Sequence, residues 1–274
     1  MRQLSRKGAP GAAGGERMMT AQFPQGAVIV FGGSGGLGRG VAMEFAREGS
    51  DVAIVYRSKR DVAEAAADDI RALGRKASVH CADVRDRAQV QAAFADAVAA
   101  HGRIHTVVWA AGPVVPQVHI GDWTEEMFRT SMEIEAFGFN HAVHTALPHM
   151  RAMGGGSFVH LGSAGHGWWP AQDGLSVAPK ACNEALVKGI AKEEGKFNIR
   201  ANSVLVGVID AGQFKVHKDV GTFTPEWEAA VKAMLPLGRW GAPEDIGQAA
   251  VFFASRRGNY VTGQSISVSG GFGV

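Results

Sequence analysis

The chain predicts an α/β fold, a doubly wound seven-stranded parallel sheet with helices on both faces. Three observations carry this expectation. Short apolar runs alternate with longer segments of helical periodicity. The first of those runs breaks into glycines just where a helix begins. A 274-residue chain that is 46% hydrophobic, without any internal repeat, suffices for one sizeable core. In order, the pattern predicts a strand at 28–31, helix 39–48, strand 52–56, helix 61–73, strand 77–82, helix 87–101 and strand 106–109. A long helix over 125–150, interrupted near Gly138, follows, with Asp122 and Glu125 reading as its capping box. Then come a strand at 157–161, a helix starting at Pro179 and running to 196, and a strand at 200–205. Thr224-Pro225-Glu226 and Pro243-Glu244-Asp245 read as two more helix starts, with acids at the positive end of the second, and 265–268 as the last strand.

The run Val28-Ile-Val-Phe-Gly32-Gly-Ser-Gly-Gly36-Leu-Gly38 has the chemistry of a phosphate cradle. Glycine at 32 permits a tight turn, at 36 it lets a pyrophosphate reach backbone N–H groups, and at 38 it lets helix pack on strand. A flexible glycine linker is the alternative. The apolar strand before it and the amphipathic Val41, Ala42, Phe45 and Ala46 after it argue for the cradle.

Charged residues make up 20% of the chain, with a formal net charge of +2 and no basic stripe, so nucleic acid is not an expected partner. No run approaches a membrane span, which leaves a cytoplasmic protein without membrane contact as the expectation. Cys81 and Cys182 lie far apart and outside any ligand spacing, so no metal site is expected and both read as packed thiols. Residues 1–24, rich in Gly, Ala and Arg, read as a disordered tail before a domain at 25–274, and Met18-Met19 offers an alternative start. The stretch 210–240 follows a late strand at the sheet edge where such folds bind ligands. It reads as a substrate lid, or else as an ordinary surface connection.

Gly32-x3-Gly36-x-Gly38, Asp83-Val84, Ala111-Gly112, Ser163, Lys180, Asn202 and Tyr260-Val-Thr-Gly-Gln264 with Gly270-Gly271 together resemble the short-chain dehydrogenase/reductases. The match runs from about Gly26 to the C-terminus, and 237–246 is similar to the 3-oxoacyl-carrier-protein-reductase-like members. The resemblance implies a single-domain Rossmann-type fold, a nicotinamide cofactor, a small-molecule substrate that includes acyl thioesters, and a homotetramer or homodimer. It implies cofactor contacts at Gly32, Ser34, Gly36, Leu37, Gly38, Asp83, Val84, Ala111, Gly112, Lys180 and Val208. Strand two ends in Tyr56-Arg57-Ser58-Lys59-Arg60 without the acid that holds the ribose 2′-hydroxyl of NAD. Arg57 and Ser58, helped by Lys59 or Arg60, suit the 2′-phosphate of NADP(H) instead, with a solvated basic turn as the alternative.

The catalytic set departs from the family. Ser163 and Lys180 match its serine and lysine, but Ser176 stands where the tyrosine is expected, and Glu135 where asparagine is. Tyr56 and Tyr260 are the only tyrosines, and both fall in other motifs. Serine is a far weaker acid than tyrosine, whose ordinary pKa of about 10 a lysine cation can lower. The 2,4-dienoyl-CoA reductases are similar in having Ser-x3-Lys, although they use asparagine at the position of Glu135 and tyrosine at that of Gly165. His166 reads either as a proton carrier or as a plain loop histidine, and Glu135 either as a proton donor or as an ion-pair partner of Lys180. His160, inside a strand, is not expected to reach the site. Trp123, Trp168 and Trp169 suit an apolar substrate pocket or subunit packing. Lys215, His217 and Lys218 suit a solvated charge run, or contact with a thioester's phosphate. Three functions stay open: an NADPH-dependent reductase of an activated carbonyl or conjugated enone or enoyl group, a cofactor-binding partner subunit without turnover, and a non-redox lyase or isomerase using Glu135 and His166.

Overall fold

A computed structural model describes residues 21–274, and the start of the expected tail, 1–20, lies outside the described residues. Seven strands form one sheet in the order β3-β2-β1-β4-β5-β6-β7, every neighbouring pair parallel. They are β1 (Ala27–Phe31), β2 (Asp51–Tyr56), β3 (Ala77–Cys81), β4 (Ile104–Trp109), β5 (Gly156–Ser163), β6 (Ile199–Val206) and β7 (Ser265–Val268). The helices are α1 (Gly36–Arg47), α2 (Arg60–Ala72), α3 (Arg87–His101), α4 (Glu125–Met132), α5 (Gly138–Ala152), α6 (Gly174–Glu194), α7 (Gln213–Asp219), α8 (Pro225–Ala233) and α9 (Pro243–Ala254).

The central strands are apolar at successive positions because both of their faces are covered. Ile29 and Phe31 of β1 join Trp109, Phe139 and Phe158 on one side of the sheet. Val28 and Val30 join Phe45, Ile54 and Phe253 on the other. The chain changes direction of travel across the sheet between β1 and β4, which opens a crevice at the carboxyl ends of these two strands. Phe23 is buried, its ring 5.4 Å from those of both Phe45 and His105, so the packed domain takes in residues placed in the tail from sequence.

Several local expectations are corrected. α1 begins at Gly36, three residues early, because the last glycines of the cradle already turn as helix. Thr124, not Asp122, caps α4: its Oγ1 accepts from the Met127 N–H at 3.2 Å, while Asp122 lies in a short 3₁₀ turn. α6 begins at Gly174 instead of Pro179. The Asp173 carbonyl already accepts from the Ser176 and Val177 N–H groups, and the proline is carried inside the helix. Cys81 and Cys182 are exposed, not packed. The interruption in the long helix is a π turn, Glu133–Phe137, directly before Gly138. Residues 210–240 form α7 and α8, closed on themselves by Phe214, Phe223, Trp227 and Trp240, with the Phe223 and Trp227 rings stacked at 3.9 Å.

α1 and α9 lie close enough that an ideal Cβ on Gly40 would sit 2.2 Å from Cβ of Pro243. Gly40→Val is expected to lower folding stability by about 1–3 kcal/mol through overpacking. Urea unfolding followed by tryptophan fluorescence measures this, and an unchanged midpoint would show that the two helices separate freely.

Candidate active site

The cradle is built from the backbone. Gly32 adopts φ +78°, and a Cβ there would meet the Ala110 carbonyl at 2.7 Å, so only glycine lets the chain turn beneath the β4 loop. α1 opens without a side-chain cap and without an acid in its first turn, and Gly35 and Gly36 are exposed. Its first N–H groups therefore face the crevice with no competing acceptor from a cap or an acid. The segment after β6 borders the same opening, since a Cβ on Gly36 would lie 2.8 Å from the Gly212 nitrogen. These features fit a pyrophosphate. Ser34 and Leu37 line the turn, and Val208, in the segment after β6, accepts from the Gly241 N–H at 3.0 Å.

At the end of β2, Arg57, Ser58, Lys59 and Arg60 are all exposed. Across from them Arg85 donates from Nε to both oxygens of Asp83 at 3.0 and 3.1 Å. Those bonds, with the charge of Arg57 adding, hold the Asp83 carboxyl below its ordinary range. Val84 beside it is buried.

Past Ala111, the chemistry converges on Lys180. Ser176, Lys180 and Asn183 share one face of α6, spaced by four and three residues. The Lys180 ammonium pairs with the carboxylate of Glu135 and donates at long range to Ser176 Oγ, 3.4 Å. Glu135 is 1% exposed on the π turn. Its second oxygen accepts from Trp109 Nε1 at 3.4 Å, and its backbone carbonyl accepts from Asn183 Nδ2 at 3.0 Å. Gly112 lies directly over this carboxylate, where a Cβ would approach Oε1 to 2.5 Å. Of the two sequence readings of Glu135, the ion-pair partner is the one seen.

Ser163 ends β5 and accepts from the Gly165 N–H at 3.1 Å. His166, in the turn that follows, pairs through Nδ1 with the buried Glu184 at 2.5 Å. Among the described residues no hydrogen bond joins it to Ser163, Ser176, Lys180 or Glu135. His160 is fully buried between Ser203 and Asn183, and burial, with the Lys180 charge adding, pushes it down to about 3. Trp123 and Trp169 flank the start of α6, each within 2.5 Å of an ideal Cβ on Gly174, while Trp168 packs beside Phe272 with ring centroids 5.8 Å apart.

Two residues were missed or misread from sequence. Asp173 precedes Ser176 by three positions and accepts from Gln117 Nε2 at 3.1 Å; burial raises its carboxyl above the ordinary range, with Gln117, Lys180 and His217 opposing. The available signal was a carboxyl one helical turn from Ser176. His217, expected in a solvated charge run, is buried, whereas Lys215 and Lys218 are exposed. Its position on the inner face of α7 sets it apart from them.

The family model described as enoyl-(acyl carrier protein) reductase matches residues 32–273, from the cradle to the C-terminus. The chain belongs to the short-chain dehydrogenase/reductase family. L-rhamnose 1-dehydrogenase (NAD(P)(+)) of Sphingomonas sp. (strain SKA58) is 34% identical over 89% of this chain and 94% of its own length. The 3-oxoacyl-(acyl-carrier-protein) reductase FabG of Chlamydia muridarum (strain MoPn / Nigg) is 33% identical over 89% and 96%. Among solved structures, 7α-hydroxysteroid dehydrogenase complexed with NADH and 7-oxo glycochenodeoxycholic acid superposes with a TM-score of 0.83 at 29% identity, over 90% of this chain and 94% of that one. The chain is thus similar to dehydrogenases and reductases that use nicotinamide cofactors, on the seven-stranded fold expected of the family. Among the described residues no helix is long and apolar enough to cross a membrane.

Glu135→Ala leaves the Lys180 ammonium without its buried partner and is expected to cost about 3 kcal/mol of stability, the lower end for such pairs because Lys180 retains some solvent access. Glu135→Gln, which keeps the shape, is expected to cost less. Equal urea midpoints for wild type and Glu135→Ala would contradict a paired Lys180.

Proposed function

We propose that this protein is an NADPH-dependent reductase of an activated carbonyl or a conjugated enone or enoyl group, acyl thioesters included, acting as a cytoplasmic homo-oligomer. The observation that carries the reading is Lys180. Its ammonium is held in place by a buried carboxylate, beside Ser176 and at the sheet edge that the cradle faces. A bound dihydronicotinamide would supply hydride. Ser34, Gly36 and Leu37 would hold the pyrophosphate with the first N–H groups of α1, and Arg57 with Ser58 would hold the 2′-phosphate, since no acid stands at the end of β2 to repel it. Asp83 and Val84 border the adenine end.

Ser163 and Ser176 are hydroxyl donors suited to a developing oxyanion, and Lys180 adds positive charge behind Ser176. An enolate from a conjugated thioester is less basic than an alkoxide. It depends more on such donors than on an immediate proton, so it suits a site where serine replaces the family's tyrosine. Trp123 and Trp169, packed at the start of α6, offer an apolar wall to an extended substrate, with the 210–240 segment as its lid.

Arg57→Ala is expected to weaken NADPH binding about 10- to 100-fold, the range for a charge-assisted phosphate contact, and to leave NADH binding nearly unchanged. Fluorescence titration with each cofactor reads this, and tighter binding of NADH by the wild type would overturn the cofactor assignment. NADPH consumption against ketones, 3-oxoacyl thioesters, enones and enoyl thioesters is expected to be lost in Lys180→Ala. Tight NADPH binding with no consumption on any of these would instead favour a partner subunit without turnover.

A further inference from the structure

We propose that His166 and Glu184 are positioning residues for the reduction, and that their pairing holds Ser163 in register with Ser176 and Lys180. The proposal rests on the reductase reading above and deepens it. Two hydroxyls and an ammonium can serve one developing oxyanion only if their spacing is fixed.

These groups come from separate elements. Ser176 and Lys180 ride on α6, whereas Ser163 is the last residue of β5. The chain leaves β5 in a single 3₁₀ turn, Ala164–His166. Inside that turn Ser163 Oγ accepts from the Gly165 N–H at 3.1 Å. A hydroxyl has one proton to give and two lone pairs to receive with. The bond from Gly165 uses a lone pair, and among the described residues no protein group accepts the proton, which stays free for a substrate oxygen. The orientation of the Ser163 hydroxyl therefore follows the turn.

The turn is tied to α6 at two points. Gly165 packs so closely that an ideal Cβ there would lie 2.8 Å from Pro170 and 2.9 Å from Val177, the residue after Ser176. His166 closes the turn and pairs through Nδ1 with Glu184 Oε2 at 2.5 Å. An ionised carboxylate only accepts, so Nδ1 carries the proton and the ring is held in one orientation. Glu184 lies on α6, eight residues after Ser176 and four after Lys180. One hydrogen bond thus joins the turn that orients Ser163 to the helix that carries the other two groups.

The Glu184 side chain is 5% exposed, while the imidazole is half exposed. Glu184 Oε1 is buried without a hydrogen-bond partner, against Gly162, where a Cβ would lie 2.7 Å away. A buried carboxylate with one unpartnered oxygen is costly to keep. Among the described residues His166 is its only hydrogen-bond donor, and the strand residue it faces is the neighbour of Ser163. The short, rigid imidazole sets one distance between turn and helix, which the flexible stem of a lysine in its place would not.

With the best substrate of the NADPH panel, His166→Ala is expected to lower kcat about 10- to 100-fold, the cost of a misplaced group, with NADPH binding within about twofold of wild type. His166→Asn, whose amide N–H can take the place of Nδ1–H, should restore most of the loss. Because His166→Ala leaves a carboxylate buried alone, the double variant His166→Ala/Glu184→Leu removes the tie without stranding a charge. It should melt near the wild type and turn over as slowly as His166→Ala. In a Ser163→Ala background, His166→Ala should cost no further kcat, because a residue that acts through Ser163 then has nothing to position. Losses that add in that background, or wild-type kcat in His166→Ala or in the double variant, overturn the proposal and leave the reductase reading standing. NADPH bound but consumed by no wild-type reaction overturns both.

Discussion

The buried ion pair between Lys180 and Glu135 is the constraint on which the arrangement of the site depends. An ammonium and a carboxylate taken out of water are tolerable only together and only with their remaining valences satisfied. Here Trp109 and Asn183 complete the carboxylate's surroundings and Ser176 accepts from the ammonium. Four elements are thereby tied at one point: β4 through Trp109, the π turn through Glu135, the loop after β4 through Gly112, and α6 through Lys180 and Asn183. The π turn is part of this solution, because the widened coil sets Glu135 beneath Gly112 and between α6 and the sheet.

Around that point the fold divides labour between backbone and side chains. The cradle at β1 and α1 offers N–H groups with neither a cap nor an acid to occupy them, which suits an anion independently of side-chain identity. The opposite wall is made of side chains, with Ser163 at the end of β5 and Asp173 and Ser176 at the start of α6. The aromatic cluster of Phe214, Phe223, Trp227 and Trp240 gives the 210–240 segment an interior of its own. That packing is what holds His217 buried between two exposed lysines of the same short helix.

Much of the fold was legible because it rests on short-range rules. Apolar runs broken by glycine and helix starts such as Thr224-Pro225 depend on local sterics and solvation, and both were found where expected. The failures were also local rules, outcompeted by nearer or longer-range partners. Thr124 displaced Asp122 as cap because it adjoins the first turn. Pro179 did not start its helix because Asp173, whose carbonyl accepts from the Ser176 and Val177 N–H groups, had already begun it. The exposed cysteines show that an apolar residue type does not by itself decide burial.

By itself, the amino-acid sequence determined the layered α/β architecture, the glycine cradle and the absence of an acid at the end of β2. Each of these is a matter of residue type at fixed spacing along one element, where backbone geometry leaves few outcomes. Only the tertiary structure decided that Glu135 serves Lys180 and that His166 faces Glu184. Those pairings join residues 18 to 45 positions apart, and which charge meets which is set by how helices pack on the sheet, information no single segment carries.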